Sequence, residues 1–387
     1  MAFIVAKSPD QIVSTRNPVG FKITADASWD TFDDYYILIR LEYENVYKSG
    51  IWTDLVTVRT TPEPDGTITV DFQGRLEQIV EPDQPNPDIL DGIICTKIQK
   101  RFRVYMEEYQ DGVGQGEILN GIRYAVRAGM AFRSDETLWQ WIVSNKALTH
   151  ASRSREITVN FPAWMYFSLS VGTATVYLKA EITFDDDTTS TVTLFTLTGT
   201  GLYDIVCFPV GYQQTGMHTQ PKQVKSYEFW IEDSGNNEIS DRHIYHLRRK
   251  CSSLDRYYLF ENSFGGFDTL HTRGKSKTGF NVQSQNTEVY LSPFYSLSQR
   301  ANLVYQTESN HSVEQYIGFS RKDEVLWLRD LLRSEWAFRI GDLSPTMSYS
   351  TELYPIEIER GKSDILEDNV FLSELKFTYT DEKSRGL

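Results

Sequence analysis

The strand–turn–strand pattern of residues 257–270 constrains the fold of this 387-residue chain more than any other stretch. Its first four residues, YYLF, form an aromatic and aliphatic run that favours a β-strand. A short polar segment interrupts the run, and Gly265 and Gly266 then permit a turn with positive φ. The apolar pattern resumes at Phe267. We therefore predict a β-hairpin here, with further strand modules built to either side of it.

The composition supports a folded chain made mostly of sheets. Aromatic residues reach 13%, with 22 Tyr, 21 Phe and 8 Trp, and such residues are enriched in strands. The net charge of −14 repels phosphate backbones, so we expect no nucleic-acid partner. Neither a secretory signal nor an apolar run of membrane-spanning length is visible, which predicts synthesis in a cytoplasm and no membrane partner. Cys95, Cys207 and Cys251 are far apart and odd in number, which predicts buried free thiols.

The spacing of strand and turn signals predicts a mainly β chain with four units. Asp65-Gly66 is a strong hairpin signal in the first of them, and several short strands at similar spacing are typical of a β-sandwich of immunoglobulin or fibronectin III character. The predicted units are an N-terminal β-sandwich (1–108), a connector with one helix (109–156), a second β-sandwich (157–250) and a C-terminal α+β domain (251–387).

Two helices are predicted, each beside a domain junction. Residues 134–146 have an apolar stripe and a serine, Ser134, that can cap the helix N-terminus. Residues 323–333 begin with acids and end with arginines, which matches the helix macrodipole. Trp139 and Trp327 lie on these helices, and we predict that they contribute to interfaces. Phe264 and Phe267, from the opening hairpin, are the other interface candidates.

No motif in the chain specifies a catalytic, cofactor-binding or metal-binding residue. The glycines of residues 112–116 fail both the dinucleotide and the P-loop patterns, so a β-turn or a flexible loop is predicted. Three aspartates at 185–187 raise a calcium hypothesis, but the spaced calcium-loop pattern is missing and a solvated hairpin tip is favoured. His243 and His246 lie three apart on a predicted strand and therefore point to opposite faces.

Three stretches carry a resemblance to a known family. They are the "NS-x-GGFDT" turn after the first strand of the opening hairpin, STRNPVGFKI at 14–23, and YPIEIERGKSDILEDNVFLSELKFTY at 354–379. Together they resemble an uncharacterised family from tailed phages and prophages of Bacteroidetes. The resemblance implies a virion component of the tail, tail tip or neck, made in the host cytoplasm. It implies other virion proteins as partners and a closed homo-oligomer, such as a ring or a trimer, and it implies no catalytic residue.

The sequence favours one of three functions over the other two. An enzyme is disfavoured because neither a G-x-S-x-G elbow nor a cysteine-protease signature is present, although 53 acidic residues neither support nor exclude a glycosidase carboxylate pair. A carbohydrate-binding or adhesion module is the alternative, because exposed Trp and Tyr can stack on the sugars of a host-surface glycan. We favour a structural subunit of an assembly, since the aromatic surplus suits large protein interfaces.

Overall fold

The computed structural model describes residues 3–130, 136–250, 252–290, 294, 296, 302–320, 324–341, 352–359 and 373–381. Across these residues the protein is mainly β, with 23 strands in five sheets and three short α-helices. The prediction of a mainly β chain is confirmed. In many of the strands apolar and polar residues alternate, which gives such a strand one face to bury.

Two sheets enclose the core of the first part of the chain. The smaller sheet contains, in spatial order, β1 (Ile4–Lys7), β3 (Gly20–Thr24) and β6 (Thr67–Asp71). The larger sheet contains, in spatial order, β2 (Ile12–Ser14), β9 (Val113–Val126), β8 (Gln99–Gln110), β4 (Tyr35–Glu44) and β5 (Trp52–Thr60). Ile37 and Ile39 of β4 are fully buried, whereas the residues next to them are partly exposed. They share a core with Phe21 and Ile68 of the smaller sheet.

The glycine-rich stretch after β8 is a tight turn followed by a strand. Asp111 and Gly112 have φ values of 49° and 79°, the left-handed conformation typical of a two-residue hairpin turn. β9 begins directly after them and pairs antiparallel with β8. Of the two predictions for this stretch, the β-turn is confirmed. The sheet therefore continues to Val126, beyond the predicted end of the first unit at residue 108.

The helices are shorter than the sequence pattern suggested. They are α1 (Gln73–Glu77), α2 (Leu138–Val143) and α3 (Val325–Arg333). Thr137 caps α2: its hydroxyl accepts the Gln140 N–H, and the Gln140 side chain accepts the Thr137 N–H in return. This capping box explains why the helix begins at Leu138. The predicted cap Ser134 lies outside the described residues.

A second pair of sheets occupies the middle of the chain. The smaller sheet contains, in spatial order, β11 (Trp164–Ser168), β14 (Ile205–Pro209) and β7 (Ile93–Ile94). The larger sheet contains, in spatial order, β10 (Ser154–Thr158), β16 (His243–Arg248), β15 (Val224–Asp233), β12 (Thr175–Phe184) and β13 (Thr189–Thr198). Cys95, next to β7, and Cys207 of β14 are buried free thiols, as predicted, while Cys251 lies outside the described residues. Burial raises the pKa of the Cys95 thiol, so it stays protonated and unreactive.

The last part of the chain forms a seven-stranded sheet. Its spatial order is β18 (Phe267–Thr272), β17 (Arg256–Glu261), β21 (Ala337–Ile340), β22 (Leu353–Ile358), β23 (Ser373–Asp381), β20 (Asn302–Ser320) and β19 (Ser276–Glu288). Helix α3 packs against this sheet through Trp327, Leu328 and Leu331, which join a core with Phe260. The predicted helix start at Asp323 lies outside the described residues.

The opening hairpin is confirmed, and its turn contacts the first part of the chain. β17 and β18 pair antiparallel around the turn at Gly265, which has φ of 80°. A Cβ on Gly265 would lie 1.8 Å from the carbonyl oxygen of Arg127, so only glycine fits. Glu261 accepts a 2.7 Å hydrogen bond from the Arg127 side chain, and the carbonyl of Ser263 accepts the N–H of Gly129. The hairpin therefore joins the seven-stranded sheet to the end of β9.

Candidate assembly interface

A two-stranded arm extends from the seven-stranded sheet. β20 pairs with β23 only from Ser312 to Ser320, whereas its residues Asn302 to Gln315 pair with the whole of β19. Residues 280–288 and 302–311 therefore form a ribbon of two strands beyond β23. Nine residues at about 3.3 Å each give it a length of about 30 Å.

The arm has exposed surfaces and an open edge. Among the side chains whose exposure is described, residues 276–278 and 285–288 of β19 are all exposed. Of the strands that the structure describes, β20 alone pairs with β19, which lies at the edge of the sheet. Edge strands in natural proteins are usually shortened, charged or covered, because an open edge can pair with another chain.

The tip of the arm carries large aromatic side chains. Tyr290 is 87% exposed and Phe294 is 97% exposed. Both residues lie in the segment that connects β19 to β20. Apolar residues in this region predict only short strands at 288–291 and 303–306, so the arm does not follow from the sequence pattern. Residues 291–293 and 301 lie outside the described residues.

The base of the arm is held firmly by buried polar contacts. Gln315 is buried, and its side-chain oxygen accepts a 3.1 Å hydrogen bond from the hydroxyl of Tyr258. Its side-chain nitrogen donates to the carbonyls of Gly274 and Tyr316 at 3.1 and 3.0 Å. Glu314, the residue before Gln315 in β20, pairs with Lys376 of β23, and this hydrogen bond lowers the pKa of the Glu314 carboxyl. The direction of the arm is thus fixed at its base by the body of the sheet.

The four interface candidates lie at different depths in the chain. Phe264 and Phe267 are fully buried, and Trp327 is 5% exposed. Trp139 is partly exposed and packs edge-on against Tyr203 at 5.6 Å, so it joins α2 to the middle part of the chain. Phe264, Phe267 and Trp327 are therefore packed inside the fold, and Trp139 is the candidate that has accessible surface. A role of these residues in assembly stays a prediction.

A second surface, which we call the arginine–aromatic face, covers the outer side of the first five-stranded sheet. The Arg59 guanidinium lies 3.8 Å from the ring centre of Tyr36, and that of Arg103 lies 4.3 Å from the ring centre of Trp52. Tyr36 and Tyr109 are stacked at 4.8 Å. Alternate residues of neighbouring strands share a face, so this cluster follows from strand register that sequence alone does not give. Two of these rings already stack on guanidinium groups.

Two buried carboxylates near the opening hairpin were not predicted from the sequence. Asp268 accepts hydrogen bonds from Trp327 Nε1 at 2.8 Å and Thr149 Oγ1 at 2.7 Å, and burial raises its pKa. Asp330 accepts from the N–H and hydroxyl of Ser263, and burial raises its pKa to about 6. Their donors come from different segments, so both carboxylates tie α3 and the loop at Thr149 to the hairpin.

The residues considered for metal binding form no ligand cluster in the described part of the chain. The aspartates at 185–187 form the tip between β12 and β13, as predicted, and each pairs with a different base, Arg249, Lys222 or Lys225, at 2.5 to 2.7 Å. His243 is buried and His246 is exposed on the same strand, so they face opposite ways, as predicted. Within the described part of the chain, no group of three or more His, Cys, Asp or Glu side chains is placed to hold a metal.

Comparison with known proteins gives weak similarities. No family model and no curated protein matches the sequence. Among solved structures, the chain is similar to dimeric latent PorU from Porphyromonas gingivalis (11% identity, TM-score 0.19, 80% of this chain and 31% of that one). It is also similar to a mutant α2-macroglobulin from Salmonella (9%, 0.21, 82% and 22%) and to trypsin-activated α2-macroglobulin from Escherichia coli (8%, 0.21, 98% and 23%).

The chain thus spans between 22% and 31% of the length of these structures, and TM-scores this low support no inference about fold or function. None of the helices in the described part of the chain has the length and apolar character needed to cross a bilayer.

Proposed function

We propose that the chain is a structural subunit of a tailed-phage virion, in the tail, tail tip or neck, and that it acts through protein–protein contacts. The arm formed by β19 and β20 is the observation that carries this proposal. A two-stranded ribbon is marginally stable by itself in water. An arm about 30 Å long, with an open edge and exposed aromatics at its tip, therefore suits a chain that is completed by a neighbour.

The sequence resemblance specifies the kind of assembly. It supports a virion part that is made in the host cytoplasm and that forms a ring or a trimer with other virion proteins. The charge of −14 keeps the free subunit soluble before it assembles. In this proposal the first two β regions are sandwiches of immunoglobulin or fibronectin III type. The last region is an α+β domain that presents the arm.

Immunogold electron microscopy tests the proposal. Particles are purified by density gradient from a culture that carries this gene, and an antibody against the recombinant chain is applied. We expect label at the tail or neck of tailed particles, and none with pre-immune antibody. Purified particles without label, while the chain is present in the unassembled fraction of the same culture, would overturn the proposal.

Carbohydrate binding is the second candidate, and the arginine–aromatic face is the observation that favours it. Aromatic rings and charged groups on one exposed sheet can contact a host-surface glycan. The stacking of Arg103 on Trp52 at 4.3 Å weakens this candidate, because a sugar has to displace the guanidinium. A glycan array compares the wild type with Trp52→Ala and with Trp336→Ala, whose side chain is 45% exposed elsewhere. Specific binding that only Trp52→Ala removes would support this function.

A further inference from the structure

Lys48 and Asp204 form an ion pair between two distant parts of the chain. Lys48 lies in the connection between β4 and β5, and Asp204 immediately precedes β14. The Nζ atom of Lys48 lies 2.5 Å from Oδ1 of Asp204, whose side chain is 2% exposed, whereas that of Lys48 is 34% exposed. The carbon of the carboxyl is one bond length beyond this oxygen, close to the separation of about 3–3.5 Å from which groups held in place react. The amine and the carboxyl are therefore placed for a reaction with each other.

The backbone on both sides of the pair favours this close approach. Lys48 has a φ of 57°, a left-handed conformation that is uncommon for a residue with a side chain. Such conformations cost free energy and are concentrated at functional sites. Gly201 lies on the other side, and a Cβ there would be 2.9 Å from Nζ of Lys48, so a larger residue would displace the amine. Both features place the lysine nitrogen against one carboxyl.

Both oxygens of the Asp204 carboxyl also accept hydrogen bonds from uncharged donors. The hydroxyl of Tyr47 donates to Oδ1 at 2.7 Å, and the N–H of Gly201 donates to Oδ2 at 2.8 Å. Burial and the neighbouring Asp204 carboxylate raise the pKa of Tyr47, so its phenol stays protonated and remains a donor. Fixed donors of this kind stabilise the negative charge that develops on oxygen during acyl transfer. The arrangement therefore favours attack of the amine on the carboxyl carbon.

We propose that Lys48 and Asp204 condense into an intramolecular amide bond that joins the first part of the chain to the middle part. One proton passes from the Lys48 ammonium to the carboxylate, the neutral amine forms a C–N bond with Cγ of Asp204, and a C–O bond breaks. One carboxyl oxygen and two of the three ammonium protons leave as water, and the third proton stays on the amide nitrogen. The reaction therefore needs no co-reactant. Two well-oriented groups reach effective concentrations of about 10⁵–10⁸ M, which drives a condensation that free groups in water do not undergo.

Intact-mass spectrometry tests the proposal on the full chain, which is incubated as folded protein and then denatured. We expect the wild type to be lighter by one water than its sequence requires, and its proteolytic digest to contain a branched peptide that joins residues 48 and 204. Lys48→Arg keeps the positive charge but replaces the amine by a guanidinium that does not deprotonate, so it should have the full mass. Tyr47→Phe removes one donor, so most of the chain should be unlinked at a time when the wild type is linked.

The ion pair of Lys222 and Asp186 is the matched control. Its atoms are 2.7 Å apart, but both side chains are 51% exposed, so the digest should contain no branched peptide from this pair. Dehydration of an aspartate that precedes a glycine also removes one water, and Lys48→Arg retains every such aspartate. A loss of water that persists in Lys48→Arg would therefore overturn the proposal, and so would a wild-type chain that keeps its full mass after prolonged incubation.

Discussion

Asp330 on α3 should make the stability of this protein depend on pH. Its side chain is buried, and its Oδ2 accepts hydrogen bonds from the N–H and hydroxyl of Ser263 at 3.1 and 3.0 Å. Those bonds, together with Arg333 and Arg329, favour the charged form. Desolvation outweighs them and raises the pKa from 3.8 to about 6. The folded protein therefore binds a proton at Asp330 more tightly than the unfolded chain does.

The size and sign of the effect follow from that pKa. One pKa unit corresponds to about 1.4 kcal/mol, so the rise from 3.8 to about 6 corresponds to about 3 kcal/mol. Between these two values the folded state holds more protons, so the free energy of unfolding falls as the pH rises. The stabilising contribution of the neutral acid is complete below about pH 4 and is lost as the pH passes through about 6.

Asp330→Asn removes this titration and keeps an oxygen that can accept from Ser263. We would measure urea unfolding of wild type and variant at pH 4, 5, 6 and 7. The variant should gain up to about 3 kcal/mol relative to wild type between pH 4 and pH 7, because only the wild type has to bury a carboxylate. Asp88→Asn, at an exposed loop position, is the matched control and should show no such gain. A difference between Asp330→Asn and wild type that stays constant from pH 4 to 7 would refute the reasoning.

Three further predictions concern the hairpin, α3 and the acidic tip. Trp327→Ala should lower the free energy of unfolding by about 3–5 kcal/mol, and partly exposed Trp139→Ala by less; equal losses in urea unfolding would argue against the burial of Trp327. Gly265→Ala should prevent native folding or lower the melting temperature sharply, because its Cβ meets Arg127, and a wild-type circular dichroism melt would contradict this. The aspartates at 185–187 should bind no calcium, so a melting temperature that changes on addition of EDTA would count against the prediction.

Local patterns predicted the strands and turns that depend on local chemistry. The run YYLF followed by Gly265 and Gly266 gave the β17–β18 hairpin, because a turn with positive φ excludes most side chains. The alternation of apolar and polar residues in β4 and β12 likewise predicts strands with one buried face, which is what the structure has. For α2 the sequence predicts a helix that begins at Ser134. Ser134 and Thr137 are both good caps, and the capping box with Gln140 selects Thr137.

Pairing between distant segments was not predictable from these patterns. The apolar pattern of residues 93–107 predicts a single strand, yet Ile93–Ile94 pairs with β14, more than 100 residues further along the chain. β2 pairs in parallel with β9, and β10 with β16. Such choices depend on packing between faces that are remote in sequence, whereas hydrophobic periodicity reports only which face of one segment is buried.

The arm was missed for a different reason, and that reason bears on its role. The predicted strand signals rest on apolar alternation, and β19 consists mostly of Ser, Thr, Asn and Gln, with side chains that are exposed wherever their exposure is described. A strand with so little buried surface gains little from the core of its own chain. Backbone hydrogen bonds to β20 hold β19 in place. In a ribbon of two strands, half of the backbone N–H and C=O groups point outward to water. A third strand along β19 would supply those bonds, which is why a polar, uncharged edge points to a partner.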